Sequence, residues 1–145
     1  MLVSSTHRVL VVTDVTSPRP ELLEHLAGLP GANSVRVLVP NPAHGEAPLL
    51  HPERHPRAAA ADRELQLALP EYARVVSGDV SGAVSIRHDG YEAVEEDLLE
   101  HRADRVVVCT HPDGALDRLF HHGLVHRLEH LGLPVDEVRA LTPAS

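Results

Sequence analysis

The chain has 145 residues, a length typical of one compact domain, and 43% of them are apolar, as in an ordinary globular protein. A formal net charge of −8 argues against a nucleic-acid partner, and the lack of any lysine excludes a phosphate-loop lysine and a Schiff-base lysine. A single cysteine and the absence of a long apolar run argue against disulfides, a secretion signal and a membrane span, and predict a cytoplasmic protein.

The first third of the chain predicts two buried strands on either side of a helix. Residues 8–14 and 34–39 are continuous aliphatic runs, which are typical of strands covered on both faces. Prolines near Ser17 and a leucine-rich stretch at helical spacing predict a helix that ends near Gly28. Residues 40–56 contain five prolines and no periodicity, so a long irregular loop is predicted there.

The middle of the chain leaves two assignments open. Residues 58–76 keep a period of 3.6 across Pro70, which predicts either one kinked helix or two helices with Pro70 near the start of the second. Alternation over residues 82–87 favours that segment as the third strand, and residues 73–77 are the competing candidate.

A third helix is predicted after this strand. Asp89 and Glu92 have the spacing of a capping box, which marks its start. Val94, Leu98 and Ala103 are expected on the buried face. The acidic residues are expected on the solvent face: Glu95, Glu96, Asp97 and Glu100.

The last third repeats the same pattern of strand, helix and strand. Residues 106–109 predict a buried strand, and residues 135–141 predict the final one. Between them a helix is predicted from an apolar face of Leu116, Phe120, Leu124, Leu128 and Leu131. Strands alternating with helices predict a single α/β domain over residues 1–145, a three-layer sandwich around a parallel sheet. Ligands of such sheets bind at the carboxyl ends of the strands.

Two segments resemble the universal stress protein family. One is Leu10-Val11-Val12-Thr13-Asp14, followed by Thr16-Ser17 and the leucine-rich helix, and the other is residues 106–135. The similarity covers roughly residues 7–141. It implies a Rossmann-like, five-stranded parallel sheet in the order 3-2-1-4-5, a role in stress response and a homodimer formed through the last strand. In many members it also implies ATP at the strand ends.

The family's ATP signature is Gly-x2-Gly-x9-Gly-(Ser/Thr) after the fourth strand. Its glycines let backbone N–H groups close on phosphate oxygens. Here the three glycine positions fall on Cys109, Pro112 and His122, with Gly123 in the Ser/Thr position; counting back from the last strand places His121 third instead. Proline has no N–H to donate. The departures predict that the usual triphosphate site is degraded.

The predicted function is therefore a small non-catalytic binding or regulatory module of universal-stress-protein type. Asp14 matches the position that meets the base or ribose in nucleotide binders, although an aspartate at a strand end also caps turns. Its candidate ligand-binding residues all lie at predicted strand ends or in the loop after the fourth strand: Asp14, Thr16, Val39, Thr110, His111, Gly114, His122 and Gly123. The alternative is a member that binds or weakly hydrolyses ATP, or holds another adenine nucleotide, with an altered phosphate loop.

Histidines and the single cysteine suggest further alternatives. His122, His126 and His130 share one helical stripe and are the candidates for a metal site, but the stripe lies opposite the apolar face, which is typical of a solvated surface. Protonation of the twelve histidines is an alternative basis for pH-dependent assembly. Cys109 near His111 is a candidate nucleophile, but a lone cysteine at a strand end is usually a small buried hydrophobe, so no catalytic residue is assigned.

Overall fold

A computed structural model describes residues 7–13, 15–30, 33–40, 54–85, 90–110 and 123–140. Strands and helices alternate along this part of the chain, as the sequence pattern predicts. The described elements are β1 (His7–Thr13), α1 (Pro20–Ala27), β2 (Asn33–Val39), α2 (Arg54–Ala73), β3 (Val80–Val84), α3 (Gly90–Glu100), β4 (Arg105–Thr110), α4 (Val125–His130) and β5 (Val135–Arg139).

The five strands form one parallel sheet in the order β3-β2-β1-β4-β5, which confirms the predicted fold class. At its centre, Val11 pairs with Val37 on one side and with Val107 on the other. All three are fully buried, because both faces of the sheet are covered and alternation is therefore unnecessary. Parallel strands also end at one edge, which is formed by Thr13, Val39, Val84, Thr110 and Arg139.

The two faces of the sheet carry separate hydrophobic cores. On one face, Leu22 of α1 and the α2 residues Leu65 and Tyr72 pack against the odd-numbered valines of β1. On the other face, Val94 of α3 and Leu128 of α4 pack against its even-numbered residues. Complete burial of a leucine such as Leu22 contributes about 1.5–3 kcal/mol, so each helix is held to the sheet by a few such contacts.

Helix α2 is one continuous helix rather than two. It begins at Arg54, four residues before the predicted start and inside the predicted irregular loop. Pro70 lies within it, three residues before its end. The helix continues past the proline because Leu65 and Tyr72, on either side of it, are buried against the same face of the sheet. Among the described helices, none combines the length and apolarity needed to cross a bilayer.

Strand β3 lies at residues 80–84, so it overlaps the favoured segment but begins two residues earlier. Residues 86–87 lie outside the described residues. The competing assignment to residues 73–77 is wrong, because Ala73 is the last residue of α2 and a turn follows it. That turn is fixed by Gly78, whose N–H donates to the carbonyl oxygen of Asn33 at 2.7 Å.

Helix α3 differs from the sequence prediction at Asp97. The side chain was expected at the solvent face but is only 7% exposed, and it accepts hydrogen bonds from Nε of Arg36 at 2.9 and 3.0 Å. The reason is the helical period, since Asp97 follows the buried Val94 by three residues and so shares its face. Ala103 lies beyond the end of α3, and the predicted cap Asp89 lies outside the described residues.

Candidate functional site

The candidate site is the edge where the five strands end. Four of its predicted residues are described and can be placed: Thr16, Val39, Thr110 and Gly123. The other four lie outside the described residues: Asp14, His111, Gly114 and His122. The described part of the site therefore comprises the edge itself, the segment after β1 and Gly123, two residues before α4.

Val39 and Thr110 point to opposite faces of the sheet. Val39 belongs to the core under α1 and α2. Thr110 continues the alternation of Val106 and Val108, which belong to the core under α3 and α4. A ligand that touches both residues must therefore lie across the edge and approach Val39 through its main chain. The carbonyl oxygen of Val39 already accepts a hydrogen bond from the N–H of Ser85 at 2.9 Å.

Thr110 is occupied by a carboxylate from the neighbouring strand. Its hydroxyl donates to Oε2 of Glu137 at 2.9 Å, and the Thr110 side chain is fully buried. Arg139 lies 3.7 Å from the same carboxylate oxygen. The end of β4 is therefore next to a negative charge that one arginine partly offsets.

Thr16 faces the other side of the edge. Its hydroxyl donates to Oε2 of Glu64 on α2 at 3.1 Å, in an exposed position. At the end of β1, the buried Thr13 accepts a weak hydrogen bond from the N–H of Val15 at 3.5 Å. These contacts fix the segment after β1 against α2, so that Thr16 and Thr110 lie on different sides of the sheet.

Gly123 and two of the candidate metal ligands lie near α4. Gly123 adopts a φ of 121°, a conformation that residues with a side chain rarely adopt. His126 and His130 on α4 are exposed, as the helical stripe predicted. Among the described residues no group of three or more His, Cys, Asp or Glu side chains is arranged to hold a metal ion.

The nucleophile alternative requires access to Cys109, and the structure buries it. The cysteine is 1% exposed in the core beneath α1 and α2, which it shares with Tyr72. Burial, with smaller contributions from Cys109 and Glu71, holds the pKa of the Tyr72 phenol well above its usual range. The thiol is therefore enclosed by the packing of the described residues.

A groove of about 500 Å³ runs along α1 and the middle of β5. Glu21 and Glu24 of α1 line it, together with Glu137, whose carboxylate lies on the Thr110 side of the sheet. His25 also lines it and bonds to Asp136 on β5 through Nε2 at 3.0 Å. Glu21 and Glu24 therefore make the α1 side of this groove acidic.

Comparison with known proteins identifies the fold. No protein-family model and no curated protein sequence matches the chain. A universal stress protein from Archaeoglobus fulgidus superposes with a TM-score of 0.59 at 17% identity, over 91% of this chain and 93% of that chain. The chain has the universal stress protein fold. The resemblance stated from the sequence is thereby confirmed for the fold.

Two further solved structures are similar to the chain. One is a universal stress protein family member from Burkholderia pseudomallei, with 16% identity, coverage of 88% of this chain and 94% of that chain, and a TM-score of 0.43. The other is a universal stress protein in complex with cAMP, with 17% identity, coverage of 94% and 100%, and a TM-score of 0.47.

Within this universal stress protein fold, sequence reasoning missed Glu137 and Arg19. Glu137 is adjacent to Asp136 in the middle of β5, and two consecutive acids inside a predicted strand were the available signal. Arg19 is buried between β1 and α1, although the sequence marked that segment only as the start of a helix. The pairing of Glu137 with Thr110, 27 residues apart, leaves no periodic trace in one sequence.

Proposed function

We propose that this chain is a stress-related binding or regulatory module of the universal-stress-protein type, that it catalyses no reaction and that it does not hold ATP in the usual way. The observation that carries the proposal is the 2.9 Å hydrogen bond from Thr110 to the Glu137 carboxylate. Because the Thr110 hydroxyl already donates to this carboxylate, the end of β4 carries a negative charge beside it. A triphosphate at this position is repelled unless a cation intervenes.

The sequence of the loop after β4 supports the same proposal. A phosphate loop works by pointing several backbone N–H groups at one oxyanion. Pro112 supplies no N–H, and His122 places an imidazole where the family motif has glycine. Glu21 and Glu24, along the groove between α1 and β5, add negative charge on the other face of the sheet.

Calorimetric titration with Mg²⁺ and ATP tests the proposal, together with an assay for phosphate release. We expect no saturable binding in the micromolar range and no turnover. Glu137→Gln removes the negative charge but keeps the side-chain length, so it separates the effect of the carboxylate from that of the loop. Saturable micromolar binding of ATP by the unaltered chain would contradict the proposal.

One observation favours the alternative of an altered ATP site. Gly123 has the positive φ that lets a loop turn back on an oxyanion, and it lies two residues before the start of α4. If this glycine serves a nucleotide, Gly123→Ala reduces ATP binding or hydrolysis. An unaltered chain that neither binds nor hydrolyses ATP leaves Gly123 with a structural role in the turn.

We also propose that the module is a cytoplasmic homodimer that pairs through β5. The N–H of Ala140 donates to Thr110 and the carbonyl of Pro134 accepts from Val106, so the even-numbered residues of β5 bond to β4 and the odd-numbered ones face outward. On the opposite edge, Gln66 donates from Nε2 to the outward carbonyl of Gly82 at 3.1 Å. Strand β3 is thus blocked by its own helix, which leaves β5 as the edge for pairing.

Light scattering coupled to size-exclusion chromatography measures the oligomeric state. Arg139→Pro removes an outward N–H of β5 without removing a hydrogen bond to β4. We expect a dimer for the unaltered chain and a folded monomer for this variant, with an unchanged circular dichroism spectrum. A monomeric unaltered chain at high micromolar concentration contradicts the dimer.

A further inference from the structure

The opposite edge of the sheet, where the strands begin, carries a second polar groove. It has a volume of about 350 Å³ and lies at the amino ends of β1, β2 and β3, beside the end of α3. Strand register explains its lining. Arg8 pairs with Ser34, and Arg36 pairs with Ser81. Since neighbours in register share a face, three adjacent strands present two arginines and two hydroxyls on the α3 side of the sheet.

The loop after α3 adds a guanidinium group and an imidazole to this groove. Asp104 forms two hydrogen bonds with the backbone of Arg8: its N–H donates to the Arg8 carbonyl at 2.8 Å, and its Oδ2 accepts from the Arg8 N–H at 2.9 Å. This pair ties the loop to β1. It holds His101 and Arg102 at the same groove as Arg8.

The arginines of the groove differ in what they already bind. Arg36 forms a salt bridge with Asp97, at 2.8 Å through Nη2. Arg8 and Arg102 are exposed, and their guanidinium groups make no ion pair within the described part of the chain. Asp79 and Glu100 also line the groove, so it holds two carboxylates for the two arginines that Asp97 does not pair. Within the described part of the chain, Arg8 and Arg102 are thus the guanidinium groups of the groove that a ligand could bind.

We propose that this groove binds a small molecule bearing an oxyanion, either a phosphate or a carboxylate, through Arg8 and Arg102. The planar guanidinium group matches both oxyanions with two parallel hydrogen bonds. Ser34 and Ser81 line the same groove and can donate further hydrogen bonds. The volume of about 350 Å³ falls in the range of small-molecule sites. The site lies at the edge opposite the strand ends, so it does not depend on the function proposed above.

NMR titration of the full chain with inorganic phosphate and, separately, with malonate tests the proposal at constant ionic strength. We expect saturable amide shifts centred on the residues that line the groove. Tighter binding of phosphate assigns a phosphate ligand, and tighter binding of malonate assigns a carboxylate; either result supports the oxyanion site. Nitrogen-15 relaxation and circular dichroism show whether each variant remains folded.

Charge variants give the site-specific readout. Arg8→Gln and Arg102→Gln should each weaken binding by about fivefold or more, because each removes a charge-assisted pair. Asp79→Asn should tighten binding about twofold, because it removes a like charge from the groove. Arg63→Gln, at an exposed position of α2 on the other face, should leave binding unchanged. Shifts that do not saturate, or equal losses in Arg102→Gln and Arg63→Gln, overturn the proposal.

Discussion

At the scale of the residue, the hydroxyl of Tyr72 is buried without a hydrogen-bond partner among the described residues. Burying an unpaired hydroxyl costs about 1–3 kcal/mol, whereas the ring fills the core beneath α2. Tyr72→Phe should therefore leave the free energy of unfolding unchanged or raise it by about 1–2 kcal/mol. Tyr72→Ala should lower it by about 3–5 kcal/mol. Urea denaturation of both variants measures these changes.

The same residue has a pH dependence of defined sign. Burial raises the pKa of the Tyr72 phenol in the folded protein. In the unfolded chain this phenol ionises near pH 10, about the pKa of a free tyrosine. Above that pH the unfolded state binds fewer protons than the native state, so stability falls as pH rises. Tyr72→Phe should lack this loss. If the free energy of unfolding falls equally above about pH 10 in the unaltered chain and in Tyr72→Phe, the loss does not come from Tyr72.

Gly78 is required because of the space beside it. A Cβ atom on this residue would lie 2.5 Å from the carbonyl oxygen of Asn33, which is backbone and cannot turn away. Gly78→Ala should lower the free energy of unfolding by about 2–3 kcal/mol. Gly28→Ala is the matched control, since the nearest atoms are 3.6 Å from its Cβ position, and its effect should stay within about 1 kcal/mol. Equal losses in both variants would falsify the steric argument.

At the scale of the element, α2 carries a proline that its packing tolerates. Pro70 is exposed, lacks an N–H and so leaves the carbonyl of Gln66 without its helical donor. Pro70→Ala restores that donor and creates no cavity, so the free energy of unfolding should rise by about 1–3 kcal/mol. The greater entropy of the unfolded variant offsets less than about 1 kcal/mol of this gain. Glu71→Ala, also exposed, controls for helix propensity. A less stable Pro70→Ala protein contradicts this view.

The elements that the sequence predicts best are those whose burial is uniform along the chain. The aliphatic runs of β1 and β4 mark central strands because both faces of the sheet are covered. Prediction fails where a contact joins distant segments: Asp97 is drawn into the core by Arg36, 61 residues away, and Thr110 meets Glu137 across a strand pairing. From their charge alone, Asp97 and Glu137 are expected to face solvent. Only the register of the sheet shows which residues they bind.

At the scale of the whole molecule, one carboxylate ties three elements together. Asp136 on the edge strand β5 accepts from Nη1 of Arg105 on β4 at 2.7 and 2.9 Å and bonds to Nε2 of His25 on α1 at 3.0 Å. These side chains are between 22% and 33% exposed. Their ion pairs should therefore contribute more to the free energy of unfolding than an exposed pair does. The arrangement joins a helix on one face to the edge of the sheet.

Asp136→Asn should therefore lower the free energy of unfolding by about 1–2 kcal/mol, more than an exposed pair is worth. Amide hydrogen exchange should quicken first in β5 and in the last turn of α1, while α3 and β2 keep their protection. Glu95→Gln is the matched control, because Glu95 meets Arg127 at 3.3 Å with both side chains about half exposed, and its effect should stay within about 0.5 kcal/mol. Equal effects of the two amide substitutions, or uniform loss of protection, would show that β5 is held by hydrophobic packing alone.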